Sequence, residues 1–268
     1  MIELWTAIDN RIQHTLYPLI NSARENCSEE ISYNILCGKS VGKDFISEYK
    51  QRGWNVYEDL SMPEIQLCGG RITEPQYFRW MIPFLSKSDR AIYIDNDAIV
   101  LGDLAELIEI DLSDSYVAAV PNPYINNVFD DWKTHAKLGT EPAEQFKNIR
   151  TFLSGQIVIN CREWRKDNIM TRLIDCVNKY RIYDNAAMNI QMSNRITELP
   201  FNWFFPGFNF MKFGRLFGNK SSEIKHLDYV ENTPKIIHWC GPVKPYDHSK
   251  LHIGKTIFHL DLWNYYDK

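Results

Sequence analysis

The chain of 268 residues reads as an α/β fold with a mainly parallel, mixed sheet flanked by helices. Two observations lead there. Short runs of β-prone residues alternate with helix-period segments through the first half, the pattern of successive βαβ units. One of those runs, Ala91–Ile94, is apolar throughout, as a strand covered on both faces must be. At 44% hydrophobic and 24% charged residues, the composition supplies a substantial core.

In order, Ile2–Ile8 reads as a strand and Thr15–Ala23 as an amphipathic helix. Ile31–Leu36 follows as a strand, Asp44–Gln51 as a helix and Asn55–Tyr57 as a short strand. Pro75–Leu85 is expected to be a strongly apolar helix leading into the strand Ala91–Ile94. Beyond it, Tyr116–Val120 and Phe152–Asn160 read as strands and Ile169–Tyr180 as a helix. The polar stretch from Pro121 to Arg150 mixes turn residues with a helix. Leu199–Asn219, rich in Phe, Trp, Gly and Asn but without periodicity, is expected to form loops lining a cleft. Right-handed crossovers place ligands at the carboxyl ends of the strands.

Net charge is −4, which argues against nucleic acid as a partner, since such binders carry a basic face. No apolar run approaches the roughly 18 residues that a membrane span needs. A peripheral membrane contact stays open, although the tail lacks a basic amphipathic pattern. Six scattered cysteines without metal-type spacing read as reduced thiols, and with no signal peptide apparent they predict a cytoplasmic protein. Aromatic residues make up 13%; they suit sugar faces and core packing equally.

The segment Ala91-Ile-Tyr-Ile-Asp95-Asn-Asp97-Ala-Ile-Val100 carries the chemistry. Two carboxylates inside an apolar run need compensation, which a divalent cation provides. In an extended backbone Asp95 and Asp97 point the same way, so both could grip one hard cation that in turn holds a diphosphate. Asp-Asn-Asp also suits an ordinary turn after a strand, but Ala98-Ile-Val100 continues the apolar run where a surface hairpin would become polar. A third ligand is His238, in Lys235-Ile-Ile-His238-Trp-Cys-Gly241-Pro-Val-Lys244-Pro-Tyr246. Imidazole joins carboxylates around Mn²⁺, and Lys244 could neutralise diphosphate oxygens as a point charge.

With these residues in place, the chain resembles glycosyltransferase family 8, which includes bacterial lipopolysaccharide galactosyl- and glucosyltransferases and the glycogenins. Six segments carry the resemblance, in family order: Thr6-Ala-Ile-Asp-Asn10; Tyr77-Phe-Arg79 with Pro83 and Leu85; Tyr93-Ile-Asp95-Asn-Asp97; Phe152-Leu-Ser-Gly155 running on to Trp164-Arg165; Asp184-Asn185 with Asn189; and His238-Trp-Cys-Gly241-Pro-Val-Lys244-Pro-Tyr. The resemblance implies a single GT-A domain over 1–268, with a nucleotide-binding half (1–115) and a donor-sugar and acceptor half (116–268) that includes a C-terminal elaboration. It implies a UDP-sugar donor, a saccharide acceptor, Mn²⁺ (or Mg²⁺) and retention at the anomeric carbon, hence a hexosyltransferase using galactose or glucose.

By position, the resemblance assigns the metal to Asp95, Asp97 and His238. Thr6, Ala7, Asn10 and Arg79 would contact UDP, with Asn96 near the ribose and Gly241 and Lys244 on the diphosphate. Ser154, Gly155, Asp184 and Asn185 would border the transferred sugar, with Asp184 and Asn185 closest to the chemistry. Leu153, Asn185 and Ala186 depart from the family pattern at the sugar, and Arg11 stands where an aromatic is common. Leu153 and Asn185 leave as an alternative a catalytically idle UDP-sugar-binding protein of the same fold, and the 14 tyrosines leave a self-glycosylating enzyme of the glycogenin kind.

Overall fold

The computed structural model describes residues 1–67, 73–123, 125–135, 144–207, 234–240, 244–246 and 259–268. It opens with β1(Ile2–Ile8), α1(Leu16–Asn26), β2(Ile31–Gly38), α2(Lys43–Gln51) and β3(Asn55–Leu60). All three strands run parallel, with Ile2 opposite Ile31 and Ile8 opposite Cys37. β4(Arg90–Ile94) then returns to the other side of β1, again parallel, pairing Leu4 with Ile92 and Trp5 with Tyr93. The strand order therefore reverses between β1 and β4. At such a switch point the two carboxyl ends open a crevice, and here those ends are Ile8 and Ile94.

β5(Ala98–Val100) follows β4 after three residues, and α4(Ala105–Ile108) follows β5. β6(Val117–Pro121), β7(Phe152–Asn160) and β8(Ile196–Glu198) extend the main sheet to seven strands in the order β3-β2-β1-β4-β7-β6-β8. β7 is antiparallel to both β4 and β6. Between these strands lie α5(Val128–His135), α6(Cys161–Lys166), α7(Ile169–Tyr180) and α8(Asp184–Met192). β5 belongs to a second, three-stranded sheet with β9(Phe205–Pro206) and β10(Ile236–His238). β5 and β10 are antiparallel, with His238 opposite Ala98. A final helix, α9(Leu260–Tyr266), packs on α1.

The central strands are apolar on both faces, as a sheet covered on both sides requires. Trp5, Tyr93, Ile157 and Val117 face the core formed with α7 and α8. Their neighbours Leu4, Ile92, Val158 and Ala118 face the core formed with α1 and α4.

Three sequence expectations are corrected. Pro75–Leu85 is not one α-helix: Glu74–Met81 is a 3-10 stretch, followed by one α-turn, α3(Ile82–Leu85). Pro83 has no N–H to offer the Arg79 carbonyl, and the Ile82 N–H takes that carbonyl instead, closing a tighter turn. Asp95-Asn96-Asp97 is not extended but a turn joining β4 to β5, so the two sheets, rather than strand alternation, bring its carboxylates together. Leu199–Asn219 is not wholly loop. Phe201–Trp203 forms a 3-10 turn and Phe205–Pro206 a strand, while residues 208–219 lie outside the described set.

Five cysteines, Cys27, Cys37, Cys161, Cys176 and Cys240, are free thiols; Cys68 lies outside the described residues. No helix among the described residues is long and apolar enough to cross a membrane.

Candidate active site

A cavity of roughly 500 Å³ opens at the carboxyl ends of β1 and β4. Three elements converge on it. The β4–β5 turn brings Asp95 and Asp97, the end of β10 brings His238, and the start of α8 brings Asp184.

His238 is buried. Its Nε2 lies 3.0 Å from Asp97 Oδ1 and 3.6 Å from Asp95 Oδ2, and its Nδ1 lies 3.1 Å from the amide oxygen of Gln156. With Nδ1–H donating to Gln156, the Nε2 lone pair faces the carboxylates, the tautomer a metal ligand needs. One donor atom from each of Asp95, Asp97 and His238 can be chosen so that all lie within 4.8 Å of one another. Two carboxylate oxygens and an imidazole nitrogen suit a divalent cation such as Mn²⁺. Gly155 completes the cradle. A Cβ there would sit 2.5 Å from His238 Cε1 and 2.6 Å from Asp95 Oδ2, so only glycine leaves the three donors room. The residues present fit a divalent metal.

Positive charge sits on both sides of this cradle. Lys244 donates to Asp97 Oδ2, and to the Trp239 carbonyl at 2.8 Å. Burial opposes ionisation of Asp97, yet the Lys244 ammonium beside it holds its carboxyl well below the usual range. Arg79, 3% exposed, donates to the Ser154 carbonyl and lies 3.3 Å from Asp95 Oδ1 and 3.6 Å from Asp184 Oδ2. Burial would lower its pKa, but Tyr93 and the surrounding carboxylates raise it further, so it stays charged. Asp184 also accepts from the Ser154 hydroxyl at 3.3 Å. Burial raises its pKa and Arg79 opposes the rise.

Ala7, Arg79, Asp95, Asn96 and Asp97 line the cavity, as do Ser154, Asp184, His238 and Lys244. Four positions expected at the nucleotide or sugar do not. Thr6 is buried beneath the cavity, with its hydroxyl unpartnered among the described residues. Asn10 is exposed, with its N–H donating to Ser40 Oγ. Gly155 acts through the cradle alone. Asn185 has its carbonyl tied to the Asn189 amide and its own side-chain oxygen buried without a partner among the described residues. Gly241 lies outside the described residues. Asn96 reaches the cavity wall, but its amide is engaged by Thr15. Arg79 touches carboxylates at every charged contact described.

Several lining residues were not singled out from the sequence: Thr73, Gln76, Cys240 and Tyr93 among them. Tyr93 and Gln156 had a signal available. Each is a polar group in a buried strand two residues from an expected site residue, and within β7 that spacing puts Gln156 on the face of Ser154.

The family described as glycosyl transferase family 8 matches residues 19–249, and the chain belongs to that family. The fold agrees with that assignment, a family described as glycosyl transferases. General stress protein A of Bacillus subtilis (strain 168) is 29% identical over 206 residues, covering 72% of this chain and 66% of the relative. Glycosyltransferase GlyB of Streptococcus pneumoniae serotype 4 is 29% identical over 182 residues, covering 64% of this chain and 38% of the relative. The chain thus spans less than two thirds of the length of these relatives. Among solved structures, galactosyltransferase LgtC, in complex with donor and acceptor sugar analogs, matches with TM-score 0.73 at 17% identity. That match covers 99% of this chain and 95% of LgtC, and it establishes the GT-A fold.

Proposed function

We propose that the protein is a retaining, Mn²⁺-dependent hexosyltransferase that moves galactose or glucose from a UDP-sugar to a saccharide hydroxyl. The observation that carries the reading is the convergence of Asp95, Asp97 and His238, with Lys244 beside them, at the switch point of a family 8 chain.

Asp95, Asp97 and His238 would hold the metal, which when bound supplies Lewis-acid stabilisation of the diphosphate leaving group. Lys244 adds positive charge where negative charge develops as the sugar–phosphate bond breaks. Arg79 bridges Asp95 and Asp184 and offsets their charge, and Asp184 with Ser154 binds sugar hydroxyls. A covalent route would need a free carboxylate nucleophile near the anomeric carbon. Asp184 is instead engaged by Arg79 and Ser154, which favours a front-face route. In that route the C1–O bond to phosphate breaks, the C1–O bond to the acceptor forms on the same face, and the acceptor proton passes to the departing phosphate oxygen. A glycosyl adduct trapped on Asp184 and seen by mass spectrometry overturns it.

The test of the function is slow hydrolysis of a panel of UDP- and GDP-sugars by the purified protein with Mn²⁺, with and without EDTA. Release of UDP from one donor that EDTA abolishes supports the reading and names the sugar. The absence of Asn185 from the cavity wall favours the alternative of an idle UDP-sugar binder. That alternative expects UDP and Mn²⁺ to raise the melting temperature while every donor, with any saccharide acceptor, remains intact.

A further inference from the structure

Helix α9 lies outside residues 19–249 that match the family, yet its buried face stands one side chain away from the metal ligands. Trp263, 1% exposed, packs with Ile99 of β5, Phe205 of β9, Ile237 of β10 and Trp239 just beyond it. Its indole meets that of Trp239 edge-on, with centroids 5.2 Å apart and planes at 81°. It also meets the Tyr246 ring at 6.1 Å.

Trp239 is the residue that ties the donor set together. It directly follows His238, its N–H donates to the Asp97 carbonyl at 3.0 Å, and its own carbonyl accepts from Lys244 at 2.8 Å. Its ring also lies so close to Gly207 that a Cβ there would collide with it. The helix behind is anchored in turn. Asn21 donates to the Tyr266 carbonyl at 2.8 Å, and Asn26 donates to the Tyr266 hydroxyl and the Val100 carbonyl, each at 3.1 Å.

We propose that Trp263 is a positioning residue for the metal site: by bracing Trp239 it keeps His238 and Lys244 in place against Asp97. The inference rests on the functional reading above. The physical need is plain. His238 ends one strand, and Asp97 immediately precedes the other, of a ladder only three residues long, whereas metal–ligand distances tolerate only about 0.2 Å of error. A short ladder is compliant, and a fully buried indole against its end is not. Removing the ring leaves a cavity into which Trp239 can relax, and His238, next to it in the chain, and Asp97, bonded to its N–H, move with it.

The experiment compares wild type, Trp263→Ala, Trp263→Phe and Leu173→Ala, the last a core truncation in α7 that lowers stability away from the site. Mn²⁺ affinity with UDP present is read by calorimetry, and free Mn²⁺ by EPR, alongside the melting temperature. Trp263→Ala is expected to weaken Mn²⁺ binding by about tenfold or more, the usual effect of losing support behind a ligand. Trp263→Phe restores most of that affinity, and Leu173→Ala melts lower without changing it. If Trp263→Ala does not fold, Trp263→Leu takes its place with the same criteria. A folded Trp263 variant that melts lower yet binds Mn²⁺ as tightly as wild type overturns the inference alone. A wild-type protein that takes up no Mn²⁺ with UDP overturns the functional reading as well.

Discussion

The Tyr93 hydroxyl donates a 2.6 Å hydrogen bond to Asp95 Oδ1, the same oxygen that Arg79 approaches to 3.3 Å. Asp95 is thus held from the sheet side by two donors, while its Oδ2 faces His238. Tyr93→Phe keeps the ring in its core and removes only the donor. Mn²⁺ affinity in the presence of UDP should fall about tenfold while the melting temperature stays close to wild type. Unchanged affinity in calorimetry would show that Arg79 alone suffices to orient the carboxylate.

Gly155→Ala tests the cradle. The added methyl has nowhere to go between His238 and Asp95, so the ligands must separate. The expected result is loss of Mn²⁺-dependent stabilisation by UDP in thermal shift, with native circular dichroism retained. A variant still stabilised by the pair would mean that the site opens more easily than its packing implies.

Asp184→Asn keeps the shape and the Ser154 contact but removes the charge facing Arg79. Turnover should drop far more than UDP affinity, because the side chain serves the sugar rather than the diphosphate. Equal losses in kcat and in UDP binding would move Asp184 to the nucleotide.

Asn189 stitches α8 to β7. Its side chain accepts from the Phe152 N–H at 2.8 Å and donates to the Phe152 carbonyl at 3.0 Å, all of it buried. Asn189→Leu leaves both backbone groups unsatisfied, at a cost of about 2–3 kcal/mol. Urea unfolding should register that loss; a midpoint within error of wild type would mean that water replaces the amide.

Acid stability has one identifiable contributor at the start of α4. Hydrogen bonds from Ser28 and the Ala105 N–H hold the Asp103 carboxyl down to about 2, from an ordinary 3.8. Because the folded value is the lower one, the stabilisation is complete above pH 3.8 and fades as pH falls toward 2. Asp103→Ala should therefore destabilise the protein at neutral pH and flatten the acid limb of its stability profile. Parallel wild-type and variant profiles between pH 2 and pH 4 would assign that limb to other carboxylates.

The β1–α1–β2–α2–β3 unit was legible because each element is long enough to display its period and is closed by polar turn residues. The strand β5 was not, since three residues have no period, and nothing local says that Ala98–Val100 leaves one sheet for another. That hidden departure is also why Asp95 and Asp97 were expected to align by strand alternation when a turn does the work. The grouping of Asp95, Asp97 and His238 was readable from residue type and chain order. Arg79 was placed at the nucleotide, but its partners are carboxylates supplied by β4 and α8, a relation visible only once those elements meet. Gln156, whose amide oxygen lies 3.1 Å from His238 Nδ1, was passed over although its place two residues after Ser154 in a buried strand was a signal.

The antiparallel register of His238 with Ala98 joins parts of the chain more than a hundred residues apart. Contacts of such long sequence separation form late, after the local βαβ units, and the donor set does not exist before that closure. A molecule stalled with β10 undocked would keep most of its secondary structure yet offer a cation only the two aspartates. On the proposed function, metal uptake would therefore count finished molecules and by mass action draw the population toward them. Refolding yield should rise with Mn²⁺ and UDP in the buffer, because ligand binding acts on the last step of assembly.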